Sequence, residues 1–596
     1  MLLRLAALAL ATLAFALVRS ERGQAQPTPL FPGVTYESSV QFTPFGPVAL
    51  HVVRGPRPIG LYRLRPTLSN ESVVKRETVS SMQRRLASQA TMVGVNGDLF
   101  AWTDGRPSGI TLRDGVLVTA PNPARSSLGI TLDGLLDVRR ISFRGTWRGL
   151  GQRRSVNFLN KAPGANGLSL FTSDWGRTTP PVSGAVAVVL SPFPSSLPNA
   201  DLTAPVASTV EGGGAVPIAP GTAVLVARGN AAARLREEAP VGTSLTLRLI
   251  LQPDWGTVSD AIGGGPLIVR DGKPVYRANE GFTVSQIALR NPRTAVGQLA
   301  DGRIVLVVVD GRQPGYSAGM TTFEMALTMV RLGAVRATQL DSGGSSTLAF
   351  EGTVLNSPSD GRERPISTAL MLQYYGVYMP PPAEAVLSPN GDGVSEAQKL
   401  AFKIVRPSTV TATLTAPDGS LAWQETGSRD PATYEVGFPP SSAPSLSPPE
   451  GPAQPTEPVP LAEGRWSLTV SATDDQGLTS SSTRRFSVNS TLGFLRASPV
   501  RLVLPPKGAR ATFQWAQARA AAVKVVVETP EGVLVRTVST SRLEPGEQTA
   551  TWDGRGANQK LVGTGRYVVR VTATNELGSV SLTQRFTVRR TATPKR

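Results

Sequence analysis

The 596-residue chain contains no cysteine and a single histidine, His51. These two scarcities exclude a cysteine nucleophile, a disulfide framework, an iron–sulfur cluster and a Cys/His zinc site within one chain. A Ser-His-Asp triad or a histidine general base would have to be built on His51, which sits in a strand-like Leu50-His-Val-Val53 and reads as sheet rather than catalyst. Aromatic residues make up only 6%, leaving few platforms for stacking bases. Chemistry here must rest on carboxylates, hydroxyls, Arg, Lys, Tyr or a hard oxygen-ligated cation. Long apolar runs are scarce as well. Residues 5–18 form one of roughly 14 residues behind Arg4, short of the ~20 that span a bilayer. Followed by Gly23-Gln24-Ala25, it predicts a secretory signal peptide over residues 1–25. An uncleaved anchor is the alternative. With the signal removed no transmembrane span is expected, and the protein is placed outside the cell or on its surface.

Positive charge is plentiful but unevenly spread. The formal net charge is +18. Residues 1–150 carry 18 basic and 9 acidic side chains, residues 151–500 carry 27 and 28, and residues 501–596 carry 16 and 6. The middle is thus nearly neutral, and 52 of the 61 cations are Arg. Nucleic acid is disfavoured by the lack of interleaved aromatics, whereas an anionic cell-wall surface would suit the basic ends.

At ~150 residues per domain the length predicts three or four units. Residues 30–378 mix helical and strand patterns. Val79, Met82 and Leu86 recur at helical spacing, and Ile304-Val-Leu-Val-Val-Val309 reads as a buried strand. Residues 321–332 predict a helix with Phe323, Ala326, Leu327 and Val330 on its apolar face and Gly333 as its stop. Asp-Gly pairs at 114–115, 133–134, 271–272 and 301–302 predict hairpins. After Pro380-Pro381-Pro382 the pattern switches to period 2 without helical stretches, which predicts two all-β Ig-like sandwiches at 383–489 and 497–590. The first carries a Pro/Ser-rich insertion, 439–460, expected to be a disordered loop. The fold class is therefore an α+β mixed, strand-rich catalytic domain followed by two all-β sandwiches. A shared layout, with Gly-Arg-Trp466 and Gly-Arg-Tyr567 opening a late strand, marks the sandwiches as a tandem repeat.

Specific polar residues cluster in five separated motifs: Asn96-Gly-Asp-Leu-Phe100 with Arg106-Pro-Ser-Gly109; Asn291-Pro-Arg-Thr-Ala-Val-Gly297; Val309-Asp-Gly-Arg312; Ser317-Ala-Gly-Met-Thr321 with Glu324; and Leu340-Asp-Ser-Gly-Gly-Ser-Ser346 with Asn356-Ser-Pro-Ser-Asp-Gly-Arg-Glu-Arg364. In this order they resemble the phosphodiester glycosidase family. Val535-Arg-Thr537 and Trp552-Asp-Gly554 in the tail are similar to the Ig-like domain of flagellar hook-cap proteins. The first resemblance implies a hydrolase that frees a sugar from a sugar-1-phosphodiester or a phosphodiester-linked glycopolymer, using carboxylate and Arg chemistry, and the signal peptide makes it an exported one. It requires no cofactor by sequence.

Each candidate has a structural reading beside the functional one. Arg293 can fork onto phosphate oxygens or tie down a neighbouring carboxylate. Asp341 ends a strand, and Gly343, Gly344, Ser345 and Ser346 after it can cradle an anion; the family more often has Gly where Ser342 stands. Thr321 and Glu324 form a capping box, which alone would explain both, or they belong to the site. Asp98 is a catalytic carboxylate or a turn residue. Asp310 is a strand-end residue able to pair with Arg312. Arg364 and Asp360 reach the substrate or pair with Glu363 and each other. On the functional reading Asp98, Glu324 and Asp341 are catalytic, while Arg293, Thr321, Gly343, Gly344, Ser345, Ser346 and Arg364 bind substrate or phosphate. A divalent cation on Asp98, Asp310 and Asp341 is a further option, as is a weak calcium loop at Asn390, Asp392 and Glu396. The competing function is a non-catalytic wall- or carbohydrate-binding surface protein with Ig-like spacers.

Overall fold

The computed structural model of the protein describes residues 27–276, 279–440, 461–504 and 509–591. The expected signal peptide and residues 441–460 of the Pro/Ser-rich insertion lie outside the described residues. The chain divides into two units, Met1–Tyr374 and Tyr375–Arg596.

The first unit is built from four sheets. Apart from the short pair Phe158–Leu159 and Leu168–Thr172, its described strand pairs are antiparallel. All four Asp-Gly pairs join hairpins. At 114–115 and 271–272 both residues have positive φ, the conformation of a two-residue turn whose twist matches its strands. Ile304–Val309 is buried throughout and lies between Gly46–Gly55 and Arg293–Leu299 in an eight-stranded sheet. Ala334–Gln339 pairs with the other edge of Arg293–Leu299. A five-stranded sheet holds the buried strand Thr91–Asn96 between Leu348–Phe350 and Thr368–Tyr374. Asn96 stitches the two sheets together: its side-chain Oδ1 accepts from Thr294 Oγ1 at 2.6 Å and from the Thr347 N–H at 3.1 Å. The ends of Thr91–Asn96, Ile304–Val309 and Ala334–Gln339 are thereby brought to one place, followed by Asp98, Asp310 and Asp341.

The helix expected at 321–332 forms as Thr322–Arg331, but on a shifted face. Met325, Ala326, Thr328 and Met329 are its buried residues, and Leu327 is 46% exposed. The long unbranched Met side chains fill the space over the sheet beside Gly297 and Ala337, where flexible thioethers fit irregular gaps.

The second unit holds two sandwiches whose five-stranded sheets share one strand order. In the first, Val386–Leu387, Thr479–Val488, Gly464–Asp474, Ser408–Thr415 and Leu421–Arg429 form one sheet, facing Gln398–Ile404 and Ala432–Phe438. In the second, Arg501–Leu504, Gly578–Arg590, Gly565–Asn575, Ala521–Glu528 and Leu534–Leu543 face Leu492–Ser498, Ala511–Gln517 and Gly546–Trp552. Each five-stranded sheet begins with a short strand parallel to its neighbour. Each has its own aromatic core, Phe402, Phe438, Trp466 and Phe486 in one and Phe513, Trp515, Trp552 and Phe586 in the other. The boundary before them falls at 374/375, not at 378. Val377 and Met379 are buried in the first sandwich core and Tyr378 bridges Lys403, so these residues belong to the sandwich rather than to a linker.

Candidate active site

Asp98 follows the strand Thr91–Asn96 and is only 2% exposed. Its Oδ2 accepts from the Gly109 N–H at 2.6 Å, and its own N–H donates to Thr368 Oγ1 at 3.0 Å. The strand Val258–Gly263 ends against it, and a Cβ at Gly263 would collide with the carboxylate. Burial pushes the Asp98 carboxyl up to about 7, opposed by the Gly109 N–H and the Arg125 charge and reinforced by the Asp341 charge. Asp98, Gly109, Asn122, Arg125, Ser126, Ser127, Gly263 and Gly264 line a narrow crevice.

Asp341 follows Ala334–Gln339 and is half-buried. Its N–H donates to the Gly97 carbonyl at 2.9 Å, which locks it beside Asp98, and the Ser342 N–H donates to its Oδ1 at 2.8 Å. Burial raises this carboxyl as well, against the Ser345 hydroxyl, the Ser342 N–H and the charges of Arg364 and Arg125. Gly343–Ser345 forms a single 3-10 turn. At Gly344 a Cβ would collide with Arg364 and Asp360, so only glycine lets that ion pair lie on the backbone. Arg364 donates to Asp360 Oδ2 at 2.7 and 3.0 Å and to Ser345 Oγ at 3.4 Å. Arg312 lies against Gly343 and donates to Asn291 Oδ1 at 2.7 and 3.0 Å. Ser346 is buried behind the turn.

The structure thus gathers Asp98, Asp341, the turn Gly343-Gly344-Ser345, and Arg364. It places three other expected residues in structural roles. Arg293 is 2% exposed and its guanidinium is engaged by carbonyls of Met320, Gln286 and Leu289 at 2.9, 2.6 and 2.8 Å. Burial lowers it to about 10. It clamps the loop before its own strand to the Met320 segment, and these carbonyls take up its donors. Thr321 and Glu324 form the capping box, and the Glu324 carboxylate also pairs with Arg290.

Asp310 does not pair with Arg312. Its carboxylate accepts from Asn356 Nδ2 at 2.8 Å, the Ser357 N–H at 3.0 Å and Tyr316 OH at 3.0 Å, and lies 2.9 Å from His51 Nε2. Asn356 in turn bonds the Ser346 carbonyl at 3.2 Å. His51 therefore stands in a strand, Gly46–Gly55, with its ring tied to a buried carboxylate. Among the described residues no group of three or more His, Asp or Glu is arranged to hold a metal. In the proposed calcium loop, Asp392 accepts from the Val394 and Phe494 N–H groups at 2.9 Å, and Glu396 accepts from Gly393 at 3.0 Å. These carboxylates brace backbone, which accounts for their spacing without an ion.

Two residues were not anticipated. Arg125 is the cation that acts on both carboxylates, and its guanidinium sits 4.7 Å from the Phe282 ring centroid. Its sequence signal is only a Pro-rich loop, Pro121-Asn-Pro-Ala-Arg125, before a strand. Trp102, six residues past Asn96, is 63% exposed and flanked by Arg364 and Arg76 at 5.2 and 5.9 Å.

Residues 204–373 match the sequence model of the phosphodiester glycosidase family, and residues 506–576 match that of the FlgD Ig-like domain. The first unit is therefore similar to the phosphodiester glycosidase family over residues 204–373, and the last sandwich to the FlgD Ig-like domain over residues 506–576. A Bacillus subtilis (strain 168) chain, the SPbeta prophage-derived uncharacterized protein YomE, is 38% identical over 110 residues, 18% of this chain and 17% of its own. The bovine N-acetylglucosamine-1-phosphodiester alpha-N-acetylglucosaminidase is 41% identical over 68 residues, 11% of this chain and 12% of its own. The present chain thus spans less than a fifth of the length of these relatives. Among solved structures, a hypothetical protein from Synechocystis is 23% identical with a TM-score of 0.48, covering 58% of this chain and 64% of that one. The zebrafish catalytic domain of the same glucosaminidase, auto-inhibited by its pro-peptide, is 16% identical with a TM-score of 0.32, covering 59% and 85%.

Proposed function

We propose that the protein is an exported hydrolase that cleaves the anomeric C–O bond of a sugar-1-phosphodiester. The observation that carries this reading is a pair of neighbouring carboxyls, Asp98 and Asp341, both under the charge of Arg125 and the second also under that of Arg364, with Asp341 and Arg364 inside the stretch, 204–373, that matches the phosphodiester glycosidase family. The two carboxyls differ in surroundings, and such a difference divides acid from base. Asp98 is enclosed and carries its proton up to about pH 7. Asp341 is half-open and accepts hydrogen bonds from Ser342 and Ser345.

In this reading Asp341 stabilises the oxocarbenium-like transition state as an ionised carboxylate. Water adds its oxygen to the anomeric carbon while the bond from that carbon to the phosphate oxygen breaks. The phosphate monoester departs with the bonding electrons, its charge met by Arg125 and Arg364. The proton lost by the water leaves to solvent or to a carboxylate. Asp98 donates a hydrogen bond into the site rather than a second negative charge. Trp102 offers its exposed ring as a platform for the sugar.

The test is hydrolysis of an aryl sugar-1-phosphodiester by the purified chain. Asp341→Asn is expected to lower kcat by 10²-fold or more. Arg125→Ala is expected to lower kcat/KM by at least tenfold and to weaken inhibition by the phosphate monoester product. Hydrolysis of plain glycosides alone, or full activity in both variants, would overturn the reading.

A further inference from the structure

The excess charge of the C-terminal sandwich has a definite location. In its five-stranded sheet, cross-strand register fixes which side chains share the outer face, because directly opposed residues point the same way. Arg566 opposes Thr587, which opposes Arg501. Val568 opposes Arg585, and Val503 opposes Arg589. Thr572 opposes both Ser581 and Lys524, while Thr574 opposes Ser579 and Ala522, and Ala522 opposes Arg542. Arg501, Lys524, Arg542, Arg566, Arg585 and Arg589 are all exposed on this one face. A seventh cation there, Arg570, bonds Glu528 at 3.1 Å, the one acidic side chain on the face among the described residues. Val569, Val571, Leu582, Phe586 and Val588 fill the opposite, inner face.

The preceding sandwich supplies an internal comparison. Its corresponding sheet has the same strand order and a similar outer ladder of hydroxyls, with Oγ–Oγ distances of 2.9 Å for Thr411–Thr426, 3.0 Å for Thr469–Thr483 and 3.1 Å for Ser471–Ser481. The C-terminal sheet repeats this with Thr572–Ser581 and Thr574–Ser579, both at 2.8 Å. On the first sheet, however, the strands Gly464–Asp474 and Thr479–Val488 place only Arg465 and Arg485 among the outward hydroxyls. A stable sheet of this architecture therefore does not require the cations. Strands lie ~4.8 Å apart and alternate residues ~7 Å apart along a strand, so neighbouring cations sit within about one Debye length and repel one another. That arrangement costs stability unless an anion is brought to it.

We infer that this face binds an anionic polysaccharide or glycopolymer. The outer face has no aromatic side chain on which bases could stack, and its aliphatics, such as exposed Val503 and half-buried Val568, are too few and small to anchor in a bilayer. Hydroxyl ladders between the cations suit a ligand that alternates charge with sugar hydroxyls. Regularly spaced charges on a flexible chain can engage several Arg rows at once, and affinity then accumulates over repeats.

The experiment uses the full chain and measures binding to dextran sulfate, neutral dextran of equal length, a 30-nucleotide single-stranded DNA and phosphatidylglycerol vesicles. Dextran sulfate is expected to bind in a salt-dependent manner and neutral dextran not to bind. The triple variant Lys524→Gln, Arg566→Gln, Arg585→Gln is expected to raise Kd at least tenfold and to flatten the salt dependence. Arg465→Gln with Arg485→Gln on the first sandwich should leave Kd within twofold. Arg566→Lys with Arg585→Lys, which keeps the charge, should retain binding, so loss in the triple variant is not loss of fold. Unchanged binding in the triple variant, equal loss in the first-sandwich control, no binding of dextran sulfate, or binding of DNA or vesicles at least as tight would each overturn the inference. Sugar-1-phosphodiester hydrolysis is read in parallel and should be unaffected in the triple variant, which separates this proposal from that of the catalytic site.

Discussion

At the scale of single residues, Asp98 carries the clearest electrostatic consequence. Its carboxyl keeps a proton up to about pH 7 in the folded chain, whereas an unfolded Asp loses it near pH 3.9. The folded state therefore binds more protons across that window. Stability from this group is fully present below the unfolded value and is lost as pH rises through about 7. The shift corresponds to at most about 4 kcal/mol. The melting temperature is expected to fall between pH 5 and pH 8, and Asp98→Asn should flatten that fall, as measured by calorimetry across pH. A slope identical to wild type in Asp98→Asn would contradict the assignment. The residue scale is also where sequence was least informative. Asp98, Asp341 and the Gly343-Gly344 turn were legible because their motifs are dense and local. Arg125 was not, since nothing in Pro-Ala-Arg125 reveals that it faces two carboxylates from distant strands. Arg293 sits in an equally dense motif, yet its donors turn inward to three carbonyls. A sequence shows that a guanidinium is needed, but not which acceptor it meets.

At the scale of elements, periodicity and turn chemistry were dependable because they depend on neighbours in sequence. The Asp-Gly hairpins, the buried strand Ile304–Val309 and the helix Thr322–Arg331 form where they were expected. The helix nonetheless turns Met325 and Met329 to the sheet in place of Leu327, a choice made by the shape of the opposing surface. The same helix separates a local role from a catalytic one. Thr321 accepts from the Glu324 N–H at 3.2 Å, and Glu324 Oε2 accepts from the Thr321 N–H at 2.8 Å. Both are accounted for by the cap and by Arg290. Thr321→Ala is therefore expected to cost about 1 kcal/mol, a melting shift of roughly 1–2 °C in a unit of this size. Its kcat/KM for a sugar-1-phosphodiester should stay within twofold of wild type below the transition. A tenfold loss of kcat/KM with unchanged melting would instead place this N-terminus in the site.

At the scale of the whole molecule, chemistry and mass are distributed unequally. The gathered site residues lie between Asn96 and Arg364, and among the described residues the clusters around Leu225, Met325 and Phe171 draw on the first unit, those around Phe438 and Trp515 on the sandwiches. Each unit can therefore bury its apolar surface from its own residues, which is the requirement for independent folding. The position of the division matters. A cut at 378, where the sequence shows its Pro-rich boundary, would take Val377 away from the first sandwich core and leave it on the end of the first unit. A cut after Tyr374 respects both cores. Residues 27–374 alone are expected to fold cooperatively and to hydrolyse a small soluble sugar-1-phosphodiester with kcat/KM within about twofold of the full chain. The same fragment should lose retention on an anionic polymer, since the cationic sheet remains behind. Loss of hydrolysis in a folded fragment, shown by a native-like thermal transition, would mean that the sandwiches take part in the proposed turnover and do not serve polymer binding alone.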